Sequence, residues 1–284
     1  MRKTRFLVFC FIISFYNFLL FSQSADLKLI GEKVPEPKTV LEKKSFEALQ
    51  NLSWKEIFND DFSRSWQNNW FLDGEKALLK NTKEGLLFKA GTTPASDADH
   101  AVLWTKQTFE GDVRIEFDFT KKDTTTKFVN IIYLFAEGSG TGAYNKDITK
   151  WSKLRTVPAM KVYFEHMNAY HVSFAAFEND NSDPANDYIR ARHYLPENGN
   201  GLKGTEMKPD YFKTGFFKAN VPHHITIIRK GNDLFMVIKN TEKEQICHWE
   251  TNVFPVLYSG RIGLRLMGSR VSEFGNFRVF ELTK

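Results

Sequence analysis

The run YFEHMNAYHVSF, residues 163–174, sets two histidines, an asparagine and two tyrosines in a stretch that otherwise alternates like a strand. Downstream, DYIRARHYL places Arg190 and Arg192 between Tyr188 and Tyr194. Alternation limits what such strands present, because successive side chains leave opposite faces. With Val172, Phe174 and Ala176 turned to a core, His171 and Ser173 point the other way. With Ile189, Ala191 and Leu195 buried, Tyr188, Arg190, Arg192 and Tyr194 share the opposite face. The polar connection ENDNSDPAN favours the two strands as neighbours in one sheet. A single surface then carries an imidazole, a serine hydroxyl, two guanidinium groups and two phenols.

Such a surface suits an anionic sugar. Arginine holds a carboxylate or sulfate through two parallel hydrogen bonds, and tyrosine offers a ring and a hydroxyl. The opposing reading is a solvated face whose charges serve solubility. His166 and Asn168 precede the strand, separated from it by an expected bend at Asn168; His166 is a candidate base or a hydrogen-bonded rim residue. His100 opens the segment AVLWTKQTF in a capping or edge position, and Trp104 further along it is a candidate stacking surface for sugar. His223 and His224 follow Pro222 and read as structural.

Other chemistries find less support. Gly138-Ser-Gly-Thr-Gly142 lacks the lysine–serine pair and the strand–helix setting of a phosphate loop. No serine-hydrolase elbow and no zinc-protease histidine spacing occurs. Glu165 and Glu178 are the candidates for a glycosidase carboxylate pair, in no distinguishing pattern. Asp180 and Asp183 offer a weak calcium signal, and no cofactor is called for. Cys247 has no partner once Cys10 leaves with the N-terminal segment, which excludes a disulfide framework.

The elements that must position these groups are mostly strands. Asp112–Phe119 alternates without a break, and similar runs are AVLWTKQTF, KFVNIIYLF, AMKVYFEH, AYHVSFAAF, DYIRARHYL, HHITIIRK, DLFMVIKN, QICHWET, GRIGLRLM and FGNFRVFEL. Lys230-Gly-Asn-Asp233 reads as a hairpin turn. So many strands predict an all-β fold, two antiparallel sheets packed as a sandwich. Two long interruptions, GSGTGAYNKDITKWSKLRT and PENGNGLKGTEMKPDYFKTG, bracket the histidine-rich strands, and loops of that length are usually functional or disordered.

The chain starts with Arg2, Lys3 and Arg5, an apolar run, and the small polar residues Ser22-Gln23-Ser24-Ala25, the order of a secretory signal peptide. The expected organisation is a signal over 1–24, a tether and short helix over 25–50, and one domain over 51–284. The product is then exported, to the periplasm or beyond, with no membrane attachment after cleavage. Removing Arg2, Lys3 and Arg5 lowers the formal net charge from +5 to +2, too little to argue for nucleic acid.

HAVLWTKQTFEGDVRIEFDF, MNAYHVSF, YIRAR and GRIGLRLMGSRVSEFGNFRVFEL resemble the YesU-like family, bacterial proteins with a concanavalin-like jelly roll, long of unknown function. The resemblance spans about Trp54 to Leu282, with NAYHVS its most specific piece; AAFENDN departs from the basic segment usual there. Within the family the likeness is to marine flavobacterial members linked to ulvan, a sulfated, uronate-bearing algal polysaccharide. That likeness implies an oligosaccharide dehydratase, which eliminates water from a terminal uronic acid and leaves a 4,5-unsaturated sugar. In this chemistry His171 or His166 takes the C5 proton. Arg190 or Arg192 holds the carboxylate against the developing charge. Tyr188 or Tyr170 protonates the departing hydroxyl, and Asn168, Tyr170, Ser173, Arg192, His100 and Trp104 contact the sugar. A polysaccharide lyase, a glycosidase and a non-catalytic sugar-binding module are the alternatives.

Overall fold

In a computed structural model the described residues are 38–283; the expected signal peptide lies outside them. After helix α1 (Lys38–Gln50), strands β1 (Trp54–Asp60), β2 (Trp70–Asp73), β3 (Leu78–Asn81), β4 (Leu86–Lys89), β5 (Ala101–Thr105), β6 (Phe109–Glu110), β7 (Val113–Lys121) and β8 (Phe128–Gly138) follow. A 3-10 segment (Ile148–Arg155) and helix α2 (Met160–His166) precede β9 (Met167–Phe177), β10 (Tyr188–Tyr194), β11 (Glu206–Phe212), β12 (Pro222–Lys230), β13 (Asp233–Lys239), β14 (Glu244–Glu250), β15 (Ser259–Leu266) and β16 (Val271–Leu282).

The strands form two antiparallel sheets. The first runs β14-β13-β12-β7-β16-β4-β3, with β1 also on β16; the second runs β11-β10-β9-β8-β15-β5-β2, with β6 also on β15. Between them lies an aromatic core in which Phe117, Phe119, Phe174, Phe274 and Phe277 pack in edge-to-face, stacked and tilted pairs. The sandwich read from alternation is the one observed. Helix α1 packs on the outer face of the first sheet, where Phe46 meets Phe235.

Three stretches differ from the sequence reading. AMKVYFEH is a helix, because Met160, Tyr163, Phe164 and Met167 satisfy a helical spacing as well as an alternating one and Pro158 precedes the start. The change to strand therefore comes at Met167, where no separate bend at Asn168 is needed. The second long interruption contains an edge strand, β11, whose Pro209 donates nothing to a ladder and so suits an edge. At Ala175, with φ 45°, a bulge reverses the alternation of β9, so Ala175 faces the core and Ala176 the outside.

Burial leaves several imidazoles uncharged. His100 is lowered to about 3, His193 to about 4 and His223 to about 4, in each case first by desolvation. A depressed histidine stabilises the fold fully above its unfolded value near 6.5 and loses that stabilisation as pH falls toward the folded value. At about 1.4 kcal/mol per pKa unit, each contributes on the order of 3 kcal/mol. Asp73 and Asp187, raised by burial, act in the opposite direction but are outnumbered. Denaturant midpoints measured between pH 7 and 4 are expected to fall steeply below about 6.5, before ordinary carboxylates titrate; a flat profile would show these imidazoles open to water.

Candidate functional site

The outer face of the second sheet carries the polar side chains. Register lines up Arg192, His171, Tyr133, Gly263 and Trp104 on adjacent strands. Two residues along, Arg190, Ser173, Ile131, Arg265, Val102 and Asp73 form the neighbouring row. Gly263 is required by this layout: a Cβ there would stand 2.4 Å from the Trp104 ring. Without it Trp104 lies nearly parallel to Tyr133 and Tyr163, with interplanar angles of 20° and 18°.

The 3-10 segment and α2 cover the middle of this face. The Asp73 carboxylate holds them down, accepting from Arg155 Nε at 2.5 Å, Trp104 Nε1 at 2.7 Å and the Tyr163 hydroxyl at 3.0 Å. Sheet, 3-10 segment and helix thus meet at one buried carboxylate. Tyr163 on the underside of the cover and Tyr133 and Tyr194 beneath it are fully buried.

His171 lies at the inner edge of the cluster, 3% exposed. One ring nitrogen is 2.5 Å from the Tyr194 hydroxyl and the other 2.6 Å from Ser173 Oγ. Burial, then Arg192, Arg265 and Arg190, hold its pKa well below the usual histidine value. A neutral imidazole carries one proton for two nitrogens, so one nitrogen remains a proton acceptor. Burial also keeps Tyr188 and Tyr194 protonated at neutral pH.

Toward β10 and β11 the face opens. Arg190 donates to Asp210 at 2.9 Å and lies over the Tyr188 ring. Arg192 donates through Nη1 alone, to Glu206 at 2.7 Å, Thr205 Oγ1 and the Leu202 carbonyl. Strand β11 therefore fixes both arginines at the rim.

The structure brings together His171, Ser173, Tyr188, Arg190, Arg192 and Trp104 on this face, with His100 behind them. Trp104 is sealed from solvent, so it stacks on tyrosines instead of a surface sugar. His100 ends the short 3-10 turn Asp97–Asp99, consistent with a capping position, and accepts from Arg265 at 2.9 Å. Tyr170 turns to the inter-sheet core beside His193 and Phe135, because it is one residue out of phase with His171; it cannot serve as the acid. His166 stacks on Tyr144 with centroids 3.5 Å apart, away from His171, and Asn168 stands opposite Glu137 at the far end of β9. Glu165 pairs with Lys161 on α2, and Glu178 is exposed beyond β9.

No protein-family profile matches the chain, and no curated protein matches it in sequence. Solved structures do. A Bacillus subtilis protein of unknown function with a galectin-like fold superposes with a TM-score of 0.57 at 18% identity, covering 80% of this chain and 97% of its own. The exoplasmic/lumenal domain of VIP36, bound to Ca2+ and Man3GlcNAc, gives 0.51 at 12%, covering 82% and 91%. Lectin UEA-II complexed with galactose gives 0.50 at 9%, covering 78% and 96%. The fold is a galectin- and lectin-like jelly roll. At these identities the likeness concerns the fold alone.

Three residues of the jelly-roll site escaped the sequence reading. Arg265 was within reach: in Arg261-Ile-Gly-Leu-Arg-Leu266 the apolar residues alternate to the core, which sends Arg265 outward beside Gly263. Tyr133 follows from the same parity. Asp73 ends a strand of four residues and had no pattern to mark it.

Proposed function

We propose that this protein is a carbon–oxygen lyase that eliminates water from the terminal uronic acid of an anionic, ulvan-type oligosaccharide, as an exported member of a carbohydrate-degrading system. The observation that carries this reading is His171, an uncharged imidazole bonded to two hydroxyls in the field of three guanidinium groups. A neutral imidazole has a nitrogen able to accept a proton, and guanidinium groups beside it can hold the carboxylate against the charge that develops as the proton leaves. The sequence resemblance and the lectin-like fold, whose relatives include sugar-bound forms, support a saccharide as the ligand.

In this reading the sugar enters over Ser173, Arg190 and Arg192, and the cover shifts to admit its terminal ring. Ser173 turns its hydroxyl from His171, and the imidazole takes the C5 proton. The C5–H electron pair forms the C4–C5 double bond as the C4–O bond breaks. Tyr188, held as a phenol, gives its proton to the departing hydroxide, forming water, and is reprotonated through solvent as His171 releases the proton it took.

The test is a mass spectrum of uronate oligosaccharides before and after exposure to the protein, with absorbance in the unsaturated-uronate band. Loss of one water without chain shortening is expected. Gain of water would assign a glycosidase, and no change on any uronate substrate would leave a binding module. Ser173→Ala is expected to stay within about tenfold of the parent rate, whereas a serine nucleophile would cost far more, since covalent catalysis fails without its attacking group.

A further inference from the structure

Three arginines act on His171, but only one of them has no carboxylate partner. Arg190 pairs with Asp210 and Arg192 with Glu206. Arg265 is fully buried, and among the described residues no carboxylate lies within ion-pair distance of it. Its Nη2 alone makes well-formed hydrogen bonds, to the Pro158 carbonyl at 2.6 Å and to His100 Nδ1 at 2.9 Å. Nε and Nη1 have no partner of good geometry; the Tyr133 hydroxyl comes within hydrogen-bonding reach of the guanidinium and is the one neutral group that partly offsets this. The Tyr163 ring covers the guanidinium, 4.6 Å from its carbon.

Such an arrangement costs free energy, because an isolated buried charge is expensive and buried donors are normally bonded. Arginine cannot escape by losing its proton. Other polar atoms in and under the same cover lack partners as well: His100 Nε2, Arg155 Nη1, Asp73 Oδ1 and Trp151 Nε1. The two neutral groups on Arg265 come from different elements, Pro158 from the cover and His100 from the turn that leads into β5. The carbonyl oxygen of Pro158 sits where an oxyanion could accept from the same nitrogen.

We propose that Arg265 is the group that holds the anionic substituent of the sugar, a carboxylate or sulfate that displaces the Pro158 carbonyl when the Ile148–Arg155 and α2 cover shifts. Arg190 and Arg192, already paired at the rim, then steer and align the chain without gripping its charge. The assignment rests on the sugar-elimination reading for the chemistry after binding, but the binding itself is separable from it. His100 keeps the guanidinium turned toward the site: as a neutral acceptor it bonds Nη2 without neutralising the charge, which a carboxylate in its place would do.

The experiment is calorimetric titration of three sugars into the full mature chain: an ulvan-type oligosaccharide, its desulfated form and its carboxyl-reduced form. Each is repeated with Arg265→Gln, Arg265→Lys and Arg190→Gln. Wild type is expected to lose about 10- to 100-fold in affinity when one of the two anions is removed, the range for a hydrogen bond to a charged group; which anion matters identifies the source. Arg265→Gln is expected to lose a similar factor on the native sugar and to become indifferent to that anion. Arg265→Lys should keep part of the discrimination, and Arg190→Gln should keep all of it.

Equal binding of all three sugars by wild type overturns the assignment whether or not Arg265→Gln folds. Discrimination that persists in Arg265→Gln overturns it too, as does failure of wild type to bind the native sugar. Discriminating binding without any product leaves Arg265 in place and removes the lyase. Product formed by a wild type indifferent to both anions does the reverse.

Discussion

His171→Gln is expected to lower the rate of water elimination by about 10²- to 10⁴-fold, the usual contribution of a positioned base, with the fold retained. Glutamine can still bond Tyr194 or Ser173, so the site keeps a polar filler and no unpaired charge is created. The pH profile supplies a second check. Desolvation and the arginine charges hold His171 well below 6.5, so it is already an acceptor in mildly acidic solution. Provided the fold survives, the rate should stay level as pH drops through 6.5. A rate that falls there with an ordinary histidine midpoint would place the base outside this buried cluster, and an unimpaired Gln variant would remove His171 from the chemistry.

The second large effect concerns stability. Asp73→Ala removes the acceptor shared by Arg155, Trp104 and Tyr163, leaving Arg155 buried beside Trp151 without its counter-charge. Breaking a buried pair from one side costs about 3–5 kcal/mol, which for a domain of this size lowers the melting temperature by roughly 10–15 °C. Arg155→Met in the same background should restore part of the loss, because both charges are then gone. A drop of only a degree or two in the single variant would show that water already reaches this carboxylate.

Much of this architecture was legible because alternation reports one thing reliably: which side chains leave a strand together. Asp112–Phe119 gave its strand outright, and the opposed sets of His171 with Ser173 and of Arg190 with Arg192 emerged correctly. The failures share a cause. Met160 to Met167 fits two periods at once, and only Pro158 and the need to cover a second apolar face decide for helix. Tyr170 went astray because it was chosen for its hydroxyl without asking which face its position commands. Trp104 was expected to meet sugar, yet a sheet buried on both sides by a cover cannot be distinguished, strand by strand, from one half open to water. Asp73 depends on partners 31, 82 and 90 residues away in the chain, a relation no local pattern encodes.

The cover is one excursion, residues 139–166, that leaves the sheet at Gly138 and rejoins it at Met167, two residues paired directly across the ladder. Its base is therefore cinched by the scaffold, while its remaining attachments lie on a single surface. A hairpin so constructed behaves as an exchangeable cassette. On the elimination reading, replacing it with a stretch of different length or contour would redefine which chain ends, branches or linkages reach the interior, so the diversification of such a scaffold toward new saccharides has its simplest route through this one connection.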